Sequence, residues 1–264
     1  MPLPLTLVTH CYNEEYLLPW WLKHHYTMFD HGVVIDYAST DRSVEICREL
    51  APSWDVVPSR NKQFGAQECD QEVMDVERRF EGWKLALNVT EFFCCRDVQW
   101  FKAFLEMDGA MMYGVQGVVL VDPDDVYTEP DPNVPLVAQR HHGFFEDERL
   151  GPETVAMRSR LFHRHADGAY EIGRHNSYHH RVMHPPGALI LWCGFSPWTR
   201  SFVDRKLQIG SRIPASDLNK GFGGQHLWSE EDLDNVRRRY ASFSEDLSAR
   251  IQYQRVFGAW PYRG

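Results

Sequence analysis

The sequence predicts an α/β fold, a mostly parallel sheet flanked by helices, in one domain that closes with a helical C-terminal segment. Three observations predict it. Short apolar, β-branched runs at 3–9, 31–36, 54–59 and 82–89 alternate with stretches of helical spacing, the pattern of repeated strand–helix–strand units. A length of 264 residues suits a single α/β core. The 43% hydrophobic and 25% charged residues are those of an ordinary globular domain.

The elements are expected in the following order. A buried strand over 3–9 leads through "CYNEE" to a helix over 14–29, where Leu17, Trp20, Trp21, His24 and Met28 recur at helical spacing. Pro19 falls in its first turns, where proline is tolerated. "HGVVID" is a second strand, and Ser39 or Thr40 is positioned to cap a helix over 41–50. A strand at 54–59, a long helix at 66–80 and a strand at 82–89 complete the nucleotide-binding type of half, residues 1–95. In the next part, 96–227, the pattern predicts a helix at 98–107, a glycine-interrupted strand at 110–121 and a Pro/Asp-rich loop at 122–135. Short strands and loops holding most of the histidines follow at 136–190, then a helix at 197–210 ended by Gly210. Residues 228–264 form the C-terminal part, with a charged amphipathic helix or helix pair over 229–255.

The formal net charge of −9 argues against a nucleic-acid partner, because an acidic chain does not attract a polyanion through its overall field. The N-terminus has no basic leader pattern and no apolar run reaches about 18 residues, so neither a signal peptide nor an integral membrane segment is expected. The six cysteines form no CxxC pair, which fits reduced thiols in a cytoplasmic protein.

Ligands of open parallel sheets bind beyond the carboxyl ends of the strands. That rule selects "THCYNEE", "DYASTDRS" and "NVTEFF". In the second segment Asp36, Ser39 and Asp41 offer a carboxylate for ribose hydroxyls or a base N–H, ahead of a helix N-terminus suited to phosphate. An Asx-turn with a hydroxyl cap accounts for the same residues without a ligand. A basic cluster at 157–184 holds Arg158, Arg160, Arg164, Arg174 and Arg181 beside six histidines.

The stretch 5–46 resembles the start of family-2-type glycosyltransferases, closest to a branch overlapping the family-92 (DUF23-like) group. Asn13, Glu14, Leu18, Trp21, His24, His25, Gly32, Asp36, Ser39, Asp41 and Ser43 carry the resemblance, which is convincing over about the first 95 residues. It implies a GT-A, Rossmann-like fold and a nucleotide-diphosphate-sugar donor, a UDP-sugar first among the options, held at Thr9, Tyr12, Asn13, Glu14, Asp36 and Ser39 to Asp41. Family members carry an acidic DxD in the form "D.DEF" after the fourth strand. Here Asn88 and Thr90 replace the two aspartates, while Glu91 and Phe92 keep their places. Paired carboxylates bind the Mn²⁺ or Mg²⁺ that neutralises a diphosphate leaving group, and an amide with a hydroxyl does so weakly. The resemblance therefore leaves three outcomes: a metal-independent transferase, other metal ligands such as Glu91 with a histidine, or lost activity.

One reading of the basic cluster has its arginines bind the donor diphosphate in place of the missing cation, and the other has most of its side chains solvated or hydrogen-bonded structurally. The resemblance extends to Arg160, Arg164, Gly173 and His175, which implies a place for His175 on the leaving phosphate or a metal. Further on, Ser196, Phe202, Lys206 and Gly210 match a later family stretch. For an inverting transfer onto a glycan or other hydroxyl acceptor, Glu146 or Asp147, with Glu148 beside them, stand about where the family places its catalytic base. Asp122, Asp124 and Asp125 are rivals. Two other classes compete: a non-catalytic GT-A-like module that binds a nucleotide or glycan, and a metalloenzyme built on His163, His165, His175, His179, His180 and His184, which lacks an HExxH pattern.

Overall fold

The computed structural model describes residues 3–123, 128–145 and 159–258. The first part runs β1 (Leu5–Cys11), α1 (Leu18–His25), β2 (His31–Asp36), α2 (Ser43–Leu50), β3 (Asp55–Pro58), α3 (Ala66–Glu77) and β4 (Trp83–Asn88). Then come β5 (Glu91–Cys95), α4 (Val98–Asp108), β6 (Met112–Val115), β7 (Gly117–Val121), α5 (Leu136–Gln139) and β8 (His142–Phe145). The remainder is β9 (Arg160–His163), β10 (Val182–Met183), β11 (Ala188–Phe195), α6 (Arg200–Leu207), α7 (Ala215–Leu218), α8 (Glu230–Ala241), β12 (Glu245–Asp246) and α9 (Ile251–Phe257).

These strands form two sheets, in the orders β10-β6-β9-β4-β1-β2-β3 and β12-β8-β7-β11-β5. In the first sheet β3, β2, β1 and β4 run parallel, with β9 inserted antiparallel between β4 and β6. The fold is thus α/β, with a mainly parallel sheet flanked by helices. One apolar cluster runs continuously from β1, β2 and α1 into β5, β7 and β11, so the two sheets share a core. Trp21, Trp83 and Trp198 are buried in it. Gly32 is required where it stands, because a Cβ there would lie 1.9 Å from the Trp54 ring.

Several boundaries differ from the pattern-based expectation. α1 starts at Leu18 rather than 14, because the Glu14 carbonyl accepts from both Leu17 N and Leu18 N and so closes a turn first. Pro19 then occupies the opening of the helix, where its missing N–H costs nothing. Neither Ser39 nor Thr40 caps α2. The helix starts later, and Asp41 Oδ1 accepts from Ser43 N at 2.9 Å. The segment "NVTEFF" is only in part a tip loop, since Glu91 opens β5, which pairs antiparallel with β11 in the second sheet. The helix expected to run to Gly210 ends at Leu207 and tightens into a 3₁₀ turn, Gln208–Arg212. The 229–255 pattern is a pair of helices, α8 and α9, separated by β12. Among the described residues all six cysteines are free thiols, and no helix is long and apolar enough to cross a membrane.

Candidate functional site

A cleft of about 540 Å³ opens where the carboxyl ends of β1 and β4 face the later elements. Parallel pairing sets His10 opposite Asn88, so the two turns that follow these strands share one wall. Of the residues singled out by sequence, Tyr12, Glu14, Asn88, Thr90, Glu91, Arg160, Gly173, Arg174, His175 and Lys206 line the cleft.

Asp36, Ser39, Asp41 and Asn13 support that wall without lining it. Asp36 Oδ1 accepts from Ser39 N at 3.1 Å, and Ser39 Oγ in turn accepts from Asn13 N at 3.1 Å. Asp41 Oδ2 accepts from Glu15 N at 3.0 Å. Together they tie the turn after β1 to the turn after β2. Asn13 takes a left-handed φ of 52°, which its short amide side chain tolerates. Thr9 is buried, its hydroxyl reaching the His10 carbonyl at 3.3 Å. Arg164 does not line the cleft: it stacks over the Trp83 ring at 5.5 Å and donates to Met111 Sδ. Glu146 and Asp147, with Glu148, Asp124 and Asp125, fall outside the described residues. Asp122 is taken up by Ser196 Oγ at 2.5 Å and Trp198 N at 2.8 Å, a structural role.

Glu91 and Arg160 form a buried bidentate pair. Arg160 Nη2 and Nε donate to the two Glu91 oxygens at 2.6 and 2.8 Å, and both side chains are at most 2% exposed. Glu91 Oε2 also accepts from Asn88 N at 2.7 Å, and Arg160 Nη1 donates to the Gly173 carbonyl at 2.6 Å. Both carboxylate oxygens of Glu91 therefore accept hydrogen bonds, two of them from the Arg160 guanidinium. His175 Nδ1 lies 3.2 Å from the Ser159 carbonyl. Among the described residues no group of three or more His, Cys, Asp or Glu side chains is placed to hold a metal. In the histidine-rich segment, His165 and His179 stack at 3.7 Å, and His163 Nε2 meets Tyr170 Oη at 3.0 Å, which itself donates to Glu77 at 2.6 Å.

The residue that sequence reading left in the crowd of arginines is Arg174. It is 4% exposed, it pairs with Asp70, and its Nη2 donates to Asn88 Oδ1 at 3.0 Å. Gly173 and Arg174 are both left-handed, with φ of 91° and 61°. For an arginine that conformation costs about 1–2 kcal/mol, a strain held here because Asp70 also accepts from Gly173 N at 2.7 Å. Arg174 Nε has no hydrogen-bond partner among the described residues. Beside it, burial first, then the charges of Arg174 and Arg160, push the His10 pKa well below the ordinary histidine value, so this ring is neutral at pH 7. No spacing rule finds Asp70 or Arg174. Asp70 lies mid-helix, where a carboxylate reads as a solvated face.

The far wall comes from the C-terminal third. Arg205 of α6 pairs with Glu14 at 2.9 Å, and Lys206 reaches the Gly194 carbonyl at 3.0 Å while lying 4.9 Å over the Phe195 ring. The 3₁₀ turn after α6 clasps the tip of β1. Asn13 Nδ2 donates to Gln208 Oε1 at 3.1 Å, and Gln208 Nε2 donates back to the Asn13 carbonyl at 3.0 Å. Arg212 stacks on Tyr12 at 4.3 Å and donates to the Tyr37 carbonyl at 2.6 Å.

No family model matches the sequence, and no curated protein matches it. Among solved structures the chain is similar to S. aureus TarS in complex with UDP, at 14% identity over 94% of this chain and 75% of that one, with a TM-score of 0.45. It is also similar to HddC from Yersinia pseudotuberculosis, at 8% identity over 73% and 95% of the two chains, TM-score 0.41. Glucosyl-3-phosphoglycerate synthase from Mycobacterium tuberculosis, in complex with Mn²⁺, UDP and glucosyl-3-phosphoglycerate, matches at 15% identity over 44% of each chain, TM-score 0.33. Superpositions this loose leave function to be judged from the site itself.

Proposed function

We propose that the chain is a glycosyltransferase that binds a nucleotide-diphosphate sugar in this cleft and passes the sugar to a hydroxyl acceptor. One observation carries the reading: a buried guanidinium, Arg174, sits on Asn88, the position at which the resemblance puts the first metal-binding aspartate. A carboxylate pair there would bring in a divalent cation, and the amide brings in an arginine instead. Planar, permanently charged guanidinium binds phosphate oxygens through parallel N–H groups. It supplies the positive charge a departing diphosphate needs without a metal.

In this mechanism Arg174 and Asn88 hold the diphosphate, with the neutral His10 ring alongside. The Asp36–Ser39–Asn13 bonds and Asp41 keep the turns after β1 and β2 in the shape that receives the nucleoside, against Tyr12. Thr90 faces the donor sugar, and His175 stands near the leaving phosphate. The acceptor hydroxyl loses its proton to Glu146 or Asp147 as its oxygen attacks the anomeric carbon. The bond from that carbon to the diphosphate oxygen breaks with inversion, and the nucleoside diphosphate leaves with the electron pair.

Calorimetric titration with UDP tests this reading. UDP affinity should stay within twofold when EDTA is added, and Arg174→Lys, which keeps the charge but removes the fork, should weaken it about 10- to 100-fold. Loss of binding on chelation, or an unchanged Arg174→Lys variant, would sink the metal-independent site. Tight nucleotide binding with no sugar transfer or donor hydrolysis would mark the chain as a binding module instead.

A further inference from the structure

A third buried ion pair lines the cleft, apart from the Arg174–Asn88 contact assigned to the diphosphate. Glu14, in the turn after β1, and Arg205, on α6, are 8% and 7% exposed. Arg205 Nη1 donates to Glu14 Oε1 at 2.9 Å. One atom on each side is left over. Glu14 Oε2 and Arg205 Nε are both buried and have no hydrogen-bond partner among the described residues. Unpartnered buried polar atoms are costly, and chains retain them where something else completes them. Burial also pushes the Glu14 carboxyl above its ordinary range, against the opposing pull of Arg205.

An acceptor atom and a donor atom on one ion pair fit a narrow class of ligand group. A hydroxyl gives one hydrogen bond and takes another, so it satisfies both. A phosphate offers only acceptors and would be repelled by Glu14, and an ammonium offers only donors and would be repelled by Arg205. Trp192 and Phe195 add ring surface to the same cleft, suited to the apolar face of a sugar. Because β1 and β4 are adjacent in register, the turn bearing Glu14 and the end of β4 at Asn88 open on one space, which Arg174 also lines.

We propose that Glu14 and Arg205 form the sugar-recognition point of the cleft, where one hydroxyl of the donor sugar donates to Glu14 Oε2 and accepts from Arg205 Nε. This rests on the nucleotide-sugar reading. The test titrates UDP, UDP-glucose, UDP-galactose and UDP-N-acetylglucosamine into the full chain. In the wild type at least one UDP-sugar should bind about tenfold more tightly than UDP. Glu14→Gln places a donor where the hydroxyl needs an acceptor, and should erase that increment, read as the ratio of UDP-sugar to UDP affinity within the same variant. Arg205→Lys keeps a positive charge beside Glu14 but lacks the Nε donor, and should shrink the increment too. Circular dichroism establishes that each variant is folded, and if Glu14→Gln is not, Arg205→Lys decides alone. A folded variant that keeps the increment, or that loses UDP and UDP-sugar affinity in equal measure, overturns the proposal. So does a wild type that binds UDP but no UDP-sugar more tightly. A wild type that binds no UDP fails at the nucleotide step, and the transferase reading falls with the proposal.

Discussion

At the scale of single residues the cleft is a set of buried charges held by their partners. Glu91 with Arg160, Asp70 with Arg174 and Glu14 with Arg205 each join an early element to a late one. Such pairs contribute little net stability when intact, because desolvation offsets their attraction, but breaking one leaves an uncompensated charge. Glu91→Gln is therefore expected to lower unfolding free energy by about 3–5 kcal/mol, read from the midpoint of a urea titration. A change below about 1 kcal/mol would mean that the Arg160 charge is screened elsewhere. The resemblance at Glu91 was legible in the sequence, but its role was not: a carboxylate beside a DxD position reads as a metal ligand until its partner is known.

At the scale of elements, the cleft depends on how the C-terminal third returns to the strand tips. The Gln208–Arg212 turn is bonded to Asn13 and Tyr37, and Leu233, Val236 and Tyr240 of α8 line the cleft. The start of α8 is set locally by a capping box: Ser229 Oγ accepts from Asp232 N at 3.1 Å, and Asp232 Oδ2 accepts from Ser229 N at 2.9 Å. Ser229→Ala should cost about 1 kcal/mol and lower Tm by about 2–4 °C, measured by differential scanning calorimetry. No shift in Tm would show that tertiary packing alone holds the helix start. Helices with strong periodicity, such as α2 and α4, were legible to within two residues. β5 and β11 were not, because both are buried strands of the second sheet and so show no alternation of polar and apolar positions.

At the scale of the whole molecule, acid weakens the fold through histidines kept neutral by burial. His226 is pushed down to about 4, by burial first and then by Lys206 and Arg205, and His165 to about 4, by burial first and then by His179. Both titrate near 6.5 in the unfolded chain. The unfolded state therefore takes up protons that the folded state refuses. This contribution is full above about pH 6.5 and is lost as the pH falls toward 4. A His165→Gln, His226→Gln double variant should show a flatter dependence of Tm on pH between 4 and 6.5. An unchanged slope would place the acid sensitivity in other groups.

The sequence by itself determined the α/β class, the order of the first seven elements, and the residues around the tips of β1, β2 and β4. Local periodicity and turn chemistry are written in neighbouring residues, and these tips are consecutive segments. Only the tertiary structure decided which side chains face the cleft. It bonds Asp36, Ser39 and Asp41 to the backbone of the turns after β1 and β2, closes Glu91 with Arg160, and brings Asp70, Arg174 and Arg205 to the cleft. Those pairings join residues 69 to 191 positions apart, and no local pattern encodes a contact made only when distant elements pack together.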